Sequence, residues 1–142
     1  VTGLAPYSTA SADALDAAQW FFSSVGEVVK VEEQQINALS AISGSGPAWI
    51  YFIIEQWEKV AISKGFTQEQ AETLVRSTLF GSAALLADSG EEPSVLRKNV
   101  TSPGGTTERI IATLDEANLE KLFSSALDAA VNRANEIAAA KD

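Results

Sequence analysis

The chain has 142 residues, enough to bury a sizeable core in one domain, and its net charge of −9 argues against a nucleic-acid or membrane-surface partner. It has no cysteine and no histidine, so disulfides, thiolate chemistry and imidazole catalysis are excluded. Any proton transfer falls to hydroxyls, carboxylates, lysine or water.

The first helical pattern starts after Ser11: Leu15, Ala18 and Phe22 share a face, with Phe21 and Val25 beside it. Ser11 is its candidate N-cap, Asp13 favours the first turn, and Gly26 suits the position just past its end. Before it, Thr2-Gly3-Leu4-Ala5 is compatible with a strand end. After it, Glu27-Val28-Val29-Lys30-Val31 reads as a short β-branched strand. A strand, helix and strand this small cannot shield both faces of a sheet.

From Glu32 onward the periodic segments are helical, so the class is mainly α. Ile36, Leu39, Ala41 and Ile42 suit a short helix ending at Ser43-Gly44. Pro47 fits the start of a long helix, with Ser45 or Gly46 capping it. Ala48-Trp49-Ile50-Tyr51-Phe52-Ile53-Ile54 is apolar around its whole circumference. Such a helix is normally buried on all sides, and in a domain this small that calls for a second copy of the chain. The run is too short to span a bilayer, and no secretory signal pattern opens the chain, so the expected location is the cytoplasm. Gly44-Ser45-Gly46 is not a dinucleotide fingerprint, because Trp49 stands where the third glycine belongs and no strand precedes it.

Gly65 ends the long helix, and Thr67 with Gln70 three residues on is a capping-box pattern for the next. That helix carries the stripe Ala71, Leu74, Val75, Thr78, Leu79, Ser82, Leu85 and Leu86 as far as Asp88-Ser89-Gly90. Glu55, Glu58, Glu69 and Glu72 read as solvated faces, and Glu91-Glu92 as a solvated turn. No metal site is expected. Pro93 opens a short helix leading to a loop. After Asp115-Glu116-Ala117-Asn118 the last helix presents Leu119, Leu122, Phe123, Ala126, Ala130, Val131, Ala134 and Ile137 on one side, and Ala138 to Asp142 is expected to fray.

The loop Asn99-Val100-Thr101-Ser102-Pro103-Gly104-Gly105-Thr106-Thr107-Glu108-Arg109 carries the most chemistry. Gly104 and Gly105 have no Cβ, so their N–H groups can approach a ligand closely. The helix that follows starts with unpaired N–H donors and a partial positive charge suited to a small anion. Ser102, Thr106 and Thr107 add hydroxyls. A hydrogen bond to a charged group is worth roughly 1.5–3 kcal/mol, so two would hold a carboxylate at about millimolar affinity without arginine. The same residues also suit an ordinary turn followed by a helix cap.

Ser94-Val95-Leu96-Arg97-Lys98-Asn99-Val100, followed by Thr101 to Thr107, resembles the signature of the pyrroline-5-carboxylate reductases. Ala41-Ile42-Ser43-Gly44-Ser45-Gly46-Pro47-Ala48-Trp49 is similar to a second block of that family, in the same order and at a similar separation. The resemblance runs from about Val1 to Ile137. Arg97 matches a basic position of the family, whereas Lys98 stands where Asp is common and Glu92 where His is frequent.

The resemblance implies a helical-bundle dimerisation domain, like the C-terminal domain of 6-phosphogluconate dehydrogenase, over residues 33–142. Residues 1–32 would be the strand–helix–strand remnant of a Rossmann domain. The chain opens on Val1 and holds no methionine, so a fragment or processed product is expected, with the nucleotide-binding domain preceding it. The implied reaction is reduction of 1-pyrroline-5-carboxylate to proline, the last step of proline synthesis. The NADPH or NADH would be held mainly by the absent domain. The implied substrate residues are Val100, Ser102, Gly104, Gly105, Thr106 and Thr107: Ser102 and the Gly104 and Gly105 amides take the carboxylate, and Thr107 serves catalysis by bonding the ring nitrogen. The implied partner is a second copy, in a homodimer or a higher oligomer, which completes the site. Two other readings stay open: a non-catalytic helical dimerisation module, and the substrate domain of another imine or β-hydroxyacid reductase.

Overall fold

The computed structural model describes residues Val1–Ala140. Its elements in order are β1 (Thr2–Leu4), α1 (Ala12–Ser23), β2 (Val28–Lys30), α2 (Ile36–Leu39), α3 (Gly46–Ser63), α4 (Gln68–Ser89), α5 (Pro93–Asn99), α6 (Thr106–Glu116) and α7 (Leu119–Ala139). A mainly α chain with a small strand–helix–strand opening is what the periodicities predict. No helix among the described residues is long and apolar enough to cross a membrane.

The chain divides into two compact units. Val1–Trp49 joins the chain from Phe123 onward in one, and Ile50–Leu122 forms the other. In the first unit β1 and β2 pair in parallel, Thr2 opposite Val28 and Leu4 opposite Lys30, with α1 as the crossover. Ser11 caps α1 as predicted, its hydroxyl accepting from the Ala14 N–H at 3.2 Å. The helix ends one residue earlier than the sequence suggests, with Ser24 as C-cap, so Gly26 falls two positions past the cap. Trp20 and Phe21 of α1 are exposed, since two strands offer too little surface to cover an apolar helix face. Gly3 lies against Leu39, 2.8 Å from that side chain to the position a Cβ would take.

The helical stretch that opens at Ile36 ends at Gly44, as the sequence predicts. A π-helical turn over Ser40–Gly44 follows α2, with the Ser45 N–H donating to the Ser40 carbonyl at 2.9 Å, and α3 begins at Gly46. The Gly44-Ser45-Gly46 stretch is therefore a wide turn between helices. Trp49 and Phe123 pack with ring centroids 5.6 Å apart, and Asn37 donates to Asn135 at 2.7 Å.

In the second unit the capping box of α4 forms as its sequence predicts. The Gln70 N–H donates to the Thr67 hydroxyl at 3.2 Å, and the Thr67 N–H donates to the Gln70 side chain at 3.0 Å. Glu58 departs from its predicted solvated face: it is 8% exposed and pairs with Arg76 Nε at 2.9 Å, while Glu72 lies 3.3 Å from Arg76 Nη1. The hydrogen bond to Glu58 holds the Arg76 guanidinium above its ordinary pKa. Spacing along α3 alone does not reveal this, because the partner comes from α4.

The α6–α7 junction turns on Asn118, at φ +51, which is rare for a residue with a Cβ. Its side-chain oxygen accepts from the Lys121 N–H at 3.2 Å and so caps α7. Asn118→Ala is expected to lose the cap, about 1 kcal/mol, and to strain the left-handed backbone by about 1 kcal/mol more. A thermal melt should fall by roughly 4–8 °C. Asn118→Gly, which keeps the backbone freedom, should fall by less. Helix α7 is assigned as far as Ala139; of the stretch expected to fray, Lys141 and Asp142 lie outside the described residues.

The buried apolar side chains are few: Ala41 in the first unit, Ala71 and Val75 in the second. The expectation that α3 is buried on all sides fails within a single chain. Tyr51 is 63% and Phe52 59% exposed, and Trp57, Val60 and Ile62 are exposed too. Large apolar residues exposed along one helix in this way mark an interaction site.

Candidate anion site at the start of α6

The candidate site lies within the second unit, where α5 hands over to α6. Pro93 opens α5, and Arg97 and Lys98 occupy its last turn, favourably placed against the carbonyl end of the helix. The chain leaves α5 through bonds from the Val100 N–H to the Arg97 carbonyl at 3.3 Å and from the Thr101 N–H to the Lys98 carbonyl at 3.1 Å. The Thr101 hydroxyl donates to the Arg97 carbonyl at 2.7 Å. Val100 itself is exposed.

A tight turn follows over Ser102-Pro103-Gly104-Gly105. The Gly105 N–H donates to the Ser102 carbonyl at 3.0 Å, and Gly104 sits at φ +72. Proline at the second position and glycine with positive φ at the third are the requirements of a type II turn. Gly105 is restricted differently: a Cβ there would lie 2.9 Å from the Ser102 carbonyl oxygen, a backbone atom that cannot swing aside. Both glycines are therefore dictated by the turn as well as by any ligand.

Gly105 is the N-cap of α6, with Thr106, Thr107 and Glu108 as its first three residues. The N–H groups of a first helical turn have no acceptor within the helix, and the partial positive charge of the helix is concentrated there. Among the described residues the hydroxyls of Ser102, Thr106 and Thr107 have no hydrogen-bond partner. Thr107 is half-buried, whereas Ser102 and Thr106 are exposed. Arg97, Lys98 and Arg109 flank the turn without an ion pair among the described residues, so a chain of net charge −9 gathers cations at this point.

The resemblance implies that the Gly104 and Gly105 amides take a carboxylate; in this structure, without a ligand, both are bonded inside the loop. Gly105 bonds to Ser102, and the Gly104 N–H donates to the Glu108 carboxylate at 2.8 Å. The donors left are the Thr106 and Thr107 N–H groups and the three hydroxyls. Glu108 is the residue sequence reasoning overlooked. Its place three residues after the N-cap, where an acid commonly reaches back to the preceding backbone, was the available signal.

A nicotinamide dinucleotide needs a strand, a glycine-rich turn and a helix to cradle its pyrophosphate. The turn between β1 and α1, Ala5 to Ser11, has no glycine, and Gly44-Ser45-Gly46 follows a helix rather than a strand. The described residues do not fit that group.

Residues 33–137 match the family described as pyrroline-5-carboxylate reductase dimerisation. The chain is 37% identical over 136 residues to pyrroline-5-carboxylate reductase 2 of Bacillus subtilis, covering 96% of this chain and 49% of that protein. It is similar to the solved pyrroline-5-carboxylate reductase of Coxiella burnetii, with a TM-score of 0.87 and 43% identity over 94% of this chain and 50% of that one. The pyrroline carboxylate reductase of Plasmodium falciparum, solved with NADP bound, is also similar, with a TM-score of 0.75 and 26% identity over 89% and 48% of the two chains. The chain thus spans about half the length of the relatives it matches. With the match extending from just before α2 through the α5–α6 loop and into α7, the chain belongs to the pyrroline-5-carboxylate reductase dimerisation family.

Proposed function

We propose that this chain is the substrate-binding and dimerisation half of a cytoplasmic pyrroline-5-carboxylate reductase, the enzyme that reduces 1-pyrroline-5-carboxylate to L-proline. Residues 33–142 form that half, and residues 1–32 are the tail of the nucleotide-binding half. The observation that carries the reading is the start of α6, where the open Thr106 and Thr107 N–H groups and the unpartnered hydroxyls of Ser102, Thr106 and Thr107 lie in one short segment flanked by Arg97, Lys98 and Arg109. That arrangement suits a small ligand bearing a carboxylate.

The Thr106 and Thr107 N–H groups and the Ser102 hydroxyl hold the substrate carboxylate, with Val100 and the two glycines shaping the walls. Thr107, one residue into the helix, projects its hydroxyl to the ring nitrogen and steers that atom's protonation. A nicotinamide cofactor, which the described residues do not cradle, would be held by the other half and would be the source of the hydride. This chain's contribution is alignment, which can lower a barrier by about 7–11 kcal/mol without a strong acid. The exposed face of α3 pairs with a second copy in a homodimer.

The test is steady-state reduction of 1-pyrroline-5-carboxylate by the full-length protein, beside the isolated chain. The full-length protein should oxidise NADPH or NADH with the imine and be inhibited by L-proline. The isolated chain should show no turnover. A full-length protein that neither turns over the imine nor binds L-proline would reduce this chain to a dimerisation module.

A further inference from the structure

We infer that Glu108 is a positioning residue for the substrate carboxylate, an inference that rests on the proposed function. Two successive glycines give the Pro103–Gly105 segment the greatest backbone freedom in the loop, and freedom at a binding loop is lost on binding at the expense of affinity. The Glu108 carboxylate restrains that freedom directly, accepting from the Gly104 N–H at 2.8 Å across the turn. The Gly105 N–H is held by the Ser102 carbonyl at 3.0 Å, so both glycine amides are tied down.

The same contact decides which donors face the ligand. Left free, an acid in the first turn of a helix competes with any incoming anion for the N–H groups there. Glu108 instead spends its carboxylate on the residue before the N-cap. The Thr106 and Thr107 amides stay open, and the turn is fixed against them. The acid that would most disfavour a substrate carboxylate is thus turned into the brace of its site. The substrate class selected is a small monocarboxylate whose oxygens reach the Thr106 and Thr107 amides.

The experiment compares Glu108→Ala and Glu108→Gln in the full-length protein. Glutamine keeps an acceptor oxygen for the Gly104 N–H, and alanine removes it. For Glu108→Ala the KM for the imine should rise about three- to tenfold with kcat within about twofold of wild type, the mark of lost ground-state positioning. Hydrogen exchange at the Gly104 amide should quicken in the same variant. Glu108→Gln should restore both. Glu108→Ala with unchanged KM and only a lower melting temperature would overturn the inference and leave Glu108 a helix cap. Glu108→Gln as impaired as Glu108→Ala would also overturn it, by assigning the effect to charge rather than to the bond. Wild-type protein unable to reduce the imine would refute the functional reading itself; active wild type with unaltered Glu108→Ala kinetics would refute the positioning role alone.

Discussion

Replacing Thr107 with alanine in the full-length protein is expected to slow imine reduction by about ten- to a hundredfold while the fold and the dimer survive. The size follows from one hydrogen bond to a group that gains charge in the transition state, roughly 1.5–3 kcal/mol. The direction follows from where Thr107 sits. It is the second residue of α6, its hydroxyl has no partner among the described residues, and its backbone N–H belongs to the same unsatisfied turn. In the proposed binding mode, a carboxylate on the Thr106 and Thr107 amides would leave the ring nitrogen to that hydroxyl. A purely structural Thr107 predicts something else: stability falls by a few tenths of a kcal/mol to about 1 kcal/mol, and turnover stays. Because Gly105, not Thr107, is the N-cap, even that stability loss should be small. Steady-state kinetics and a melt on one preparation separate the cases. Wild-type turnover in the alanine variant would sink the assignment.

The second large effect is expected at α3. Phe52→Glu should abolish the proposed homodimer and leave a monomer at micromolar concentration. Phe52 is 59% exposed in a helix whose neighbours Tyr51 and Ile53 are also exposed, an apolar face the chain does not cover itself. Burying a phenylalanine contributes about 1.5–3 kcal/mol, and in a two-fold interface every substitution counts twice. A carboxylate forced into that contact adds its desolvation cost, so the dissociation constant should rise by at least about a thousandfold. Sedimentation equilibrium reads the outcome, and the melting temperature should lose its dependence on concentration. Wild-type chain that sediments as a stable monomer would refute the pairing.

What the sequence by itself determined was local. Ser11 and the Thr67–Gln70 pair were legible as caps because capping joins residues two or three positions apart, within one turn of chain. The helical stripes of α4 and α7, and the Pro-Gly-Gly turn before α6, were legible for the same reason: period and backbone freedom are properties of short segments. Resemblance then carried the loop residues to a family that the match over residues 33–137 shows.

The tertiary structure alone decided matters that depend on distant residues or on the exact geometry of a turn. Glu58 looked like any acid on a polar face until α4 brought Arg76 within 2.9 Å of it. The last turn of the short helix, Ser40–Gly44, is wound as a π-helix, which composition does not distinguish from an α-helix. The apolar circumference of α3 pointed to complete burial, yet coverage depends on how much neighbouring surface the fold supplies, and this chain supplies little. At the site, the resemblance placed the two glycine amides on the ligand. Three-dimensional bonding assigned them to Ser102 and Glu108 and left the Thr106 and Thr107 amides open, because which donors stay free is settled only when every nearby acceptor has its position.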